Sequence, residues 1–263
     1  SKTGNIDVTT PGRSHIRWFR NMAPYINAHR SRTFVLMLGG DGAQDPNFAT
    51  ILHDMALLHS LGVRLVLVHG NRPQIDARLE QAGIPSRFHD DVRITDSASM
   101  HHVTDAAASL GAQIEALLSM GLPNSPMQGA RMRVCSGNFV TARPLGVVDG
   151  VDYQHTGRVR RIDSVGIQQQ LAAGSIVLLS PLGYSPTGEI FNLMLEDIAV
   201  HCAAAIGADK LLLFGAGAGI SGAADIDARR TDQDVGETVA IEVVDTGESR
   251  SAGIAESVPA KPE

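Results

Sequence analysis

Cysteine is nearly missing. The chain of 263 residues has two, Cys135 and Cys202. They lie far apart and show no metal-ligand spacing, so neither a disulfide framework nor a thiolate metal site is expected. Both have apolar or small neighbours, which fits buried free thiols in a reducing compartment; the expected location is cytoplasmic. Long apolar runs are missing too. No stretch reaches the ~20 residues that span a bilayer, and the first residues hold no apolar signal-peptide core. Positive charge is in deficit. Lys and Arg number 22 against 28 Asp and Glu, a net charge of −6. That argues against nucleic acid or an anionic membrane as a partner. What remains, 43% hydrophobic and 19% charged, suffices for one large α/β domain or two small ones.

The clearest positive signal is a strand, a turn and a helix. Leu65-Val66-Leu67-Val68 runs into His69-Gly70-Asn71-Arg72, and the segment Pro73 to Gln81 carries Ile75 and Leu79 four apart. This reads as a buried strand, a tight turn and a helix that starts near Pro73. Backbone amides and the helix dipole favour an anion at such a turn. In an open α/β sheet, ligands bind there. Turns of this shape also recur in folds that use them for nothing else.

The rest of the chain repeats the pattern. Residues 1–14 are polar and read as a disordered arm. Residues 15–30 read as a helix with an apolar stripe, Ile16, Phe19, Ala23 and Ile26, beside Trp18, Met22 and Tyr25. Pro24 kinks it or starts a second helix. The stripe must be buried, and another subunit is the favoured place. Thr33 to Leu38 reads as the first core strand, Asn47 to Leu61 as a helix capped by Gly62, and Val63 to Val68 as the second strand, a βαβ unit. Asp91 to Thr95 reads as a short strand. Ser97 is the candidate cap of a helix that runs to about Met120. Arg131 to Val134 and Asn138 to Arg143 read as a hairpin about Ser136-Gly137, in a β-rich insert over about 126–162. Helix and strand return at Ser164–Ala173, Ser175–Ser180, Phe191–Ile206 and Lys210–Phe214. A mainly parallel sheet between helices is therefore expected over 31–216. Residues 217–263 read as a polar tail with one strand-like run, Thr238 to Val244.

Several sites compete. Gly217-Ala218-Gly219-Ile220-Ser221-Gly222 has the dinucleotide spacing, but no apolar helix follows it. Arg250-Ser251-Ala252-Gly253-Ile254-Ala255 resembles the pyrophosphate loop of acetyl-CoA-dependent acetyltransferases, with too little chain in 215–263 to build that fold. Gly39-Gly40-Asp41-Gly42 is better placed for a phosphate or carboxylate. Met37 and Leu38 precede it, however, and phosphoryl transfer needs a cation. Asn192 could bind a ligand or cap a helix. Glu196 and Asp197 fit dipole complements in a first turn. Arg72 and Arg93 could hold a carboxylate bidentately, or sit in surface salt bridges.

A family resemblance runs through Trp18-Phe19-Arg20-Asn21-Met22-Ala23-Pro24-Tyr25-Ile26, Leu67-Val68-His69-Gly70-Asn71-Arg72-Pro73-Gln74-Ile75, and Ser125-Pro126-Met127-Gln128-Gly129-Ala130-Arg131. It continues through Gly150–Asp163, Leu178–Asn192 and Ala208–Phe214. These stretches resemble the amino-acid-kinase-like domain of bacterial N-acetylglutamate synthase, over roughly residues 15–216. The resemblance implies an amino-acid-kinase-like fold and a homo-oligomer assembled through the N-terminal helix. It also implies L-arginine as effector and synthesis of N-acetylglutamate from acetyl-CoA and glutamate in arginine biosynthesis. It implies no resident cofactor and no metal. In that family the chemistry belongs to a separate C-terminal acetyltransferase domain, which is not expected within these residues, so acetyl transfer by the chain alone is not expected. Acetylglutamate kinase is similar at one remove. Its His-Gly-Gly-Gly falls on His69, Gly70, Asn71 and Arg72. The Arg of its R-V-T motif falls on Arg93, its substrate-binding Asn on Asn192 and its catalytic Asp on Glu196. Its phosphate-binding Lys falls on Met37. The ligand cleft expected from all this holds Gly39, Gly40, His69, Gly70, Asn71, Arg72, Arg93, Asn192 and Glu196. An amino-acid-binding module without chemistry and a weak kinase are the other readings.

Overall fold

The computed structural model describes residues 24, 26–121, 132–215 and 240–245. Trp18, Phe19 and Tyr25 of the expected assembly helix lie outside that range, as do both alternative Gly-rich motifs. Pro24 and residues 26–29 are helical, and Ile26 is half-buried.

The strands that read as continuous apolar runs form one six-stranded sheet. Its members are β1 (Thr33–Leu38), β2 (Arg64–His69), β5 (Arg133–Ser136), β10 (Ser175–Leu179), β13 (Lys210–Gly215) and β14 (Ala240–Asp245), in the order β14-β13-β1-β2-β10-β5. Every pairing is parallel. β14 pairs residue by residue with β13, so residues beyond 216 add a strand to the sheet.

A buried parallel sheet must be apolar on both faces, and this one is. Phe34, Leu36, Leu65, Leu67, Ile176 and Leu178 pack under α1 (Phe48–Ser60) and α3 (Ser97–Ser119), through Leu52, Met55, Leu110 and Ile114. Val35, Met37, Val66, Val68, Val177 and Leu179 face the other way. They meet α4 (Ser164–Ala172) and α5 (Leu195–Ala205) through Ile167, Leu171, Ile198 and Cys202. α2 (Arg72–Gln81) packs Ile75 and Leu79 against Met100 and Val103 of α3.

Two short hairpins and a second sheet stand beside this frame. β3 (Phe88–His89) and β4 (Val92–Arg93) pair antiparallel across Asp90-Asp91. Both aspartates have positive φ, 48° and 59°, as a two-residue hairpin turn that matches strand twist demands. β7 (Val147–Val148) and β8 (Val151–Asp152) form the other hairpin. The second sheet has four strands in the order β12-β11-β6-β9, from β6 (Val140–Pro144), β9 (Gly157–Ile162), β11 (Leu182–Tyr184) and β12 (Ile190–Asn192).

Here the structure corrects the reading of the sequence in three places. The hairpin expected about Ser136-Gly137 does not form. β5 joins the parallel sheet beside β10, while β6 pairs antiparallel with β9. Alternation over a dozen residues cannot tell one hairpin from two strands that part into different sheets. Phe191 and Asn192 do not open a helix. They end β12, and the helix begins at Leu195 behind Met194. The cap of α3 is Asp96 rather than Ser97; its carboxylate accepts a 2.8 Å hydrogen bond from the Ser99 N–H. That bond holds the Asp96 carboxyl below its ordinary range.

Candidate ligand cleft

The parallel register brings the carboxyl ends of β1, β2 and β13 level, with Leu38 beside both His69 and Phe214. Two glycine turns leave the sheet there. The Gly39 N–H donates to the Phe214 carbonyl at 3.1 Å, and the Gly70 N–H to the Leu38 carbonyl at 2.8 Å. Gly40 has no room for a side chain. A Cβ would fall 2.7 Å from Pro73 Cδ and 3.0 Å from the Arg72 nitrogen. The start of α2 is thus seated on the Gly39-Gly40 turn, and Gln74 Nε2 fastens it by donating to the Gly40 carbonyl at 2.9 Å. At Gly70 a Cβ would meet Leu195 Cδ2 at 3.0 Å and Gly40 N at 3.1 Å. Both glycines are there for close approach, which draws the first turns of α2 and α5 to one place. Two helix N-termini meeting at glycine turns suit an anion.

His69 ends β2 but does not reach solvent. It is 1% exposed, and among the described residues neither ring nitrogen has a hydrogen-bonding partner. Burial pushes its pKa down to about 4, with the Gly70 backbone acting in the opposite sense. It is a neutral packing residue. Asn71 is buried beside it, its amide 3.5 Å from the Val103 carbonyl.

A polar seam runs from β4 to β12. The Asn192 amide donates to Thr95 Oγ1 at 3.0 Å, and the Thr95 and Thr156 hydroxyls lie 2.9 Å apart. Thr156 in turn donates to the Arg93 carbonyl at 2.5 Å. Its one proton is used there, so the Thr95 hydroxyl is the donor between the two. The Thr95 N–H adds a 3.2 Å bond to Thr156 Oγ1. Backbone bonds reinforce the seam, His155 N–H to the Thr95 carbonyl and Asn192 N–H to the His155 carbonyl, each at 2.9 Å. Thr95, Thr156 and Asn192 are all buried. Asn192 is therefore held in the seam and does not cap a helix.

The charged wall lies between α2 and β4. Arg93 is buried, and its Nη2 donates to Asp76 Oδ1 at 2.6 Å. Arg72 is exposed at the head of α2. Both guanidiniums stack on Phe88, at 4.5 Å for Arg93 and 4.7 Å for Arg72. Glu196 lies half-buried in the first turn of α5. Its neighbour Asp197 accepts a 2.9 Å bond from the Val159 N–H and ties α5 to β9.

Of the nine residues expected in the cleft, Gly39, Gly40, Gly70 and Arg72 meet at the glycine turns and Glu196 lies in the first turn of α5, whereas His69 and Asn71 are buried in packing, Arg93 is paired with Asp76 and Asn192 lies in the seam. Sequence reading missed Thr95, Thr156, Gln74, Phe88 and Asp76. Thr95 and Thr156 sit inside quoted motifs, so the segments were seen and the side chains were not. Asp76 stands four residues after Arg72 on a helix, a spacing that puts both on one face. Gln74 likewise sits inside a quoted motif, and nothing local marks Phe88. Among the described residues no cluster of three His, Cys, Asp or Glu could hold a metal, and no helix is long and apolar enough to cross a membrane. The Cys202 thiol is buried and pushed up to about 12, so it is inert. The one lysine among the described residues, Lys210, starts β13 opposite Phe34, at the far end of the sheet from the cleft.

A parallel sheet between two helix layers, with glycine turns and helix N-termini converging at its strand ends, defines an α/β protein of the open-sheet class. Residues 32–246 match the amino acid kinase family, and the chain belongs to that family. It is 64% identical over 206 residues to the amino-acid acetyltransferase of Ectopseudomonas mendocina, covering 78% of this chain and 48% of that protein. It is 63% identical over 208 residues to the amino-acid acetyltransferase of Azotobacter vinelandii, covering 79% and 48%. The chain thus spans about half the length of the curated relatives it matches. Among solved structures it is similar to N-acetylglutamate synthase from Neisseria gonorrhoeae complexed with coenzyme A and L-arginine. The TM-score is 0.77 at 27% identity, covering 88% of this chain and 60% of that one.

Proposed function

We propose that this chain is the kinase-like part of an N-acetylglutamate synthase, the enzyme that makes N-acetyl-L-glutamate and coenzyme A from acetyl-CoA and L-glutamate. In this reading it is the regulatory and assembling part, in the cytoplasm. It answers to L-arginine and forms a homo-oligomer through the segment that carries Trp18, Phe19, Tyr25 and Ile26. The observation that carries the reading is the 64% identity to an amino-acid acetyltransferase over 206 residues. The cleft binds an amino acid and does not phosphorylate it. Gly39, Gly40, Gly70 and the α2 amides face the anionic group, with Arg72 beside them; Asn192 and Glu196 line the opposite side. Phosphoryl transfer needs cationic charge at the phosphate. Buried Met37 stands where the related kinases carry lysine, and Lys210 is at the wrong end of its strand.

Three measurements test this. L-arginine titrated into the purified 263-residue chain is expected to stabilise it. A ligand at ~100 times its Kd adds about 2.7 kcal/mol, roughly 5–10 °C in Tm for a chain of this size. ATP with N-acetyl-L-glutamate is expected to give no ADP. ADP formation would restore the kinase reading, and no shift with arginine would remove the regulatory one. The synthase assignment is tested by joining the chain to the part of the E. mendocina relative beyond the matched residues. Glutamate-dependent release of coenzyme A that L-arginine modulates is the expected result.

A further inference from the structure

Arg93 is already occupied by a carboxylate of its own chain. Its Nη2 donates to Asp76 Oδ1 at 2.6 Å, and its Nη1 donates to Ser86 Oγ at 3.0 Å. Ser86 Oγ closes the triangle by donating to the same Asp76 oxygen at 3.0 Å. The Arg93 side chain is 7% exposed, whereas that of Asp76 is 44% exposed. The buried arginine therefore holds the aspartate in place, and one face of the aspartate stays open to solvent.

Two free groups result. Asp76 Oδ2 accepts no hydrogen bond among the described residues, both bonds to this carboxylate falling on Oδ1. Arg72 has no acidic partner among them either; its guanidinium lies over Phe88, a ring 39% exposed. Arg72 and Asp76 are four residues apart on α2, one turn along the same face. The wall thus offers a fixed anion and a free cation one turn apart, beside an exposed aromatic ring.

We propose that this wall receives a zwitterionic α-amino acid. Arg72 takes the α-carboxylate through two N–H donors. Asp76 Oδ2 takes the α-ammonium, held in place by Arg93 and Ser86. Phe88 packs against the first carbons of the side chain. An N-acylated amino acid has a neutral amide where the ammonium would be. It leaves Asp76 without a cation and is bound more weakly. The site therefore separates free amino acids from their N-acetylated forms. The proposal rests on the reading of the cleft as an amino-acid site and adds which charge state it selects.

Calorimetric titration of the purified chain at pH 7 with L-glutamate, N-acetyl-L-glutamate and glutarate tests it. The wild type is expected to bind L-glutamate at least tenfold more tightly than the other two, neither of which carries an ammonium. This comparison needs no variant. Asp76→Asn is expected to erase the preference, lowering affinity for L-glutamate while leaving the other two within about twofold. Arg72→Gln, at an exposed position, is expected to weaken all three together. Equal or tighter binding of N-acetyl-L-glutamate by the wild type overturns the proposal and leaves the cleft reading intact. An equal loss for all three ligands in Asp76→Asn also overturns it. If the wild type binds neither L-glutamate nor L-arginine, the cleft reading falls and the proposal with it.

Discussion

The parallel sheet and the polar seam are built on opposite terms. In β1, β2 and β10 nearly every residue is buried and apolar, and each is surrounded by others of the same kind. Their contribution is area removed from water, which is shared among many contacts. The seam of Arg93, Thr95, Thr156 and Asn192 depends on single protons, each with one acceptor. The sheet is therefore sensitive to volume, and the seam to whether one atom keeps its partner.

That contrast can be pressed experimentally. The largest effect belongs to the sheet. Leu67 is 0% exposed between β1 and β10, and Leu67→Ala is expected to cost ~2–5 kcal/mol, read as a fall in the urea midpoint. Next comes the buried histidine of the sheet. Burial holds the pKa of His69 at about 4 in the folded chain, against an ordinary value of 6.5. A depressed histidine pKa means the unfolded chain takes up the proton first. Stability is then fully present above pH 6.5 and falls as pH drops toward 4, by about 3 kcal/mol in all. His69→Leu should flatten the urea midpoint across that window. It should also be neutral or stabilising at pH 8, since the ring nitrogens have no partners to lose.

The seam should respond differently. Thr95→Val keeps the shape and leaves the Asn192 amide without its acceptor. The expected cost is ~1–3 kcal/mol. Adding Asn192→Leu should recover most of it, because no orphaned donor then remains. A double mutant no better than the sum of the two would put the seam on the same volume-dependent footing as the sheet. The smallest effect belongs outside both regions. Arg87 meets Asp96 at 2.9 Å with side chains 51% and 29% exposed. Arg87→Ala should cost under ~1 kcal/mol, and Asp96 should go on capping α3.

The same contrast explains what the sequence made legible. Leu65 to Val68 and Ile176 to Leu179 are uninterrupted apolar runs, and burial on both faces is the one environment that calls for them. The sheet and its flanking helices are therefore readable without coordinates. Gly40 and Gly70 mark the cleft because their lack of a side chain is itself visible. Thr95, Thr156 and Asn192 look like ordinary loop or cap residues, since their partners lie 61 to 97 positions away. The same holds for β6, which pairs with β9 and β11 across intervening chain. Asp76 lies between these cases. Its neighbour Arg72 is local, but the Arg93 that fixes it is brought over by the β3–β4 hairpin.

β1 also sets an order of events on the ribosome. One of its edges is taken by β2, which follows after a single helix. The other waits for β13, which begins at Lys210. About 140 residues separate the two partners, roughly ten seconds or more of synthesis at ~5–20 residues per second. Through that interval the β1–β2–α1 unit carries an open edge, apolar in every residue but Thr33, the kind of edge that recruits other strands. The nascent chain's exposure to misassembly is concentrated there, and it ends when residues 210–215 emerge.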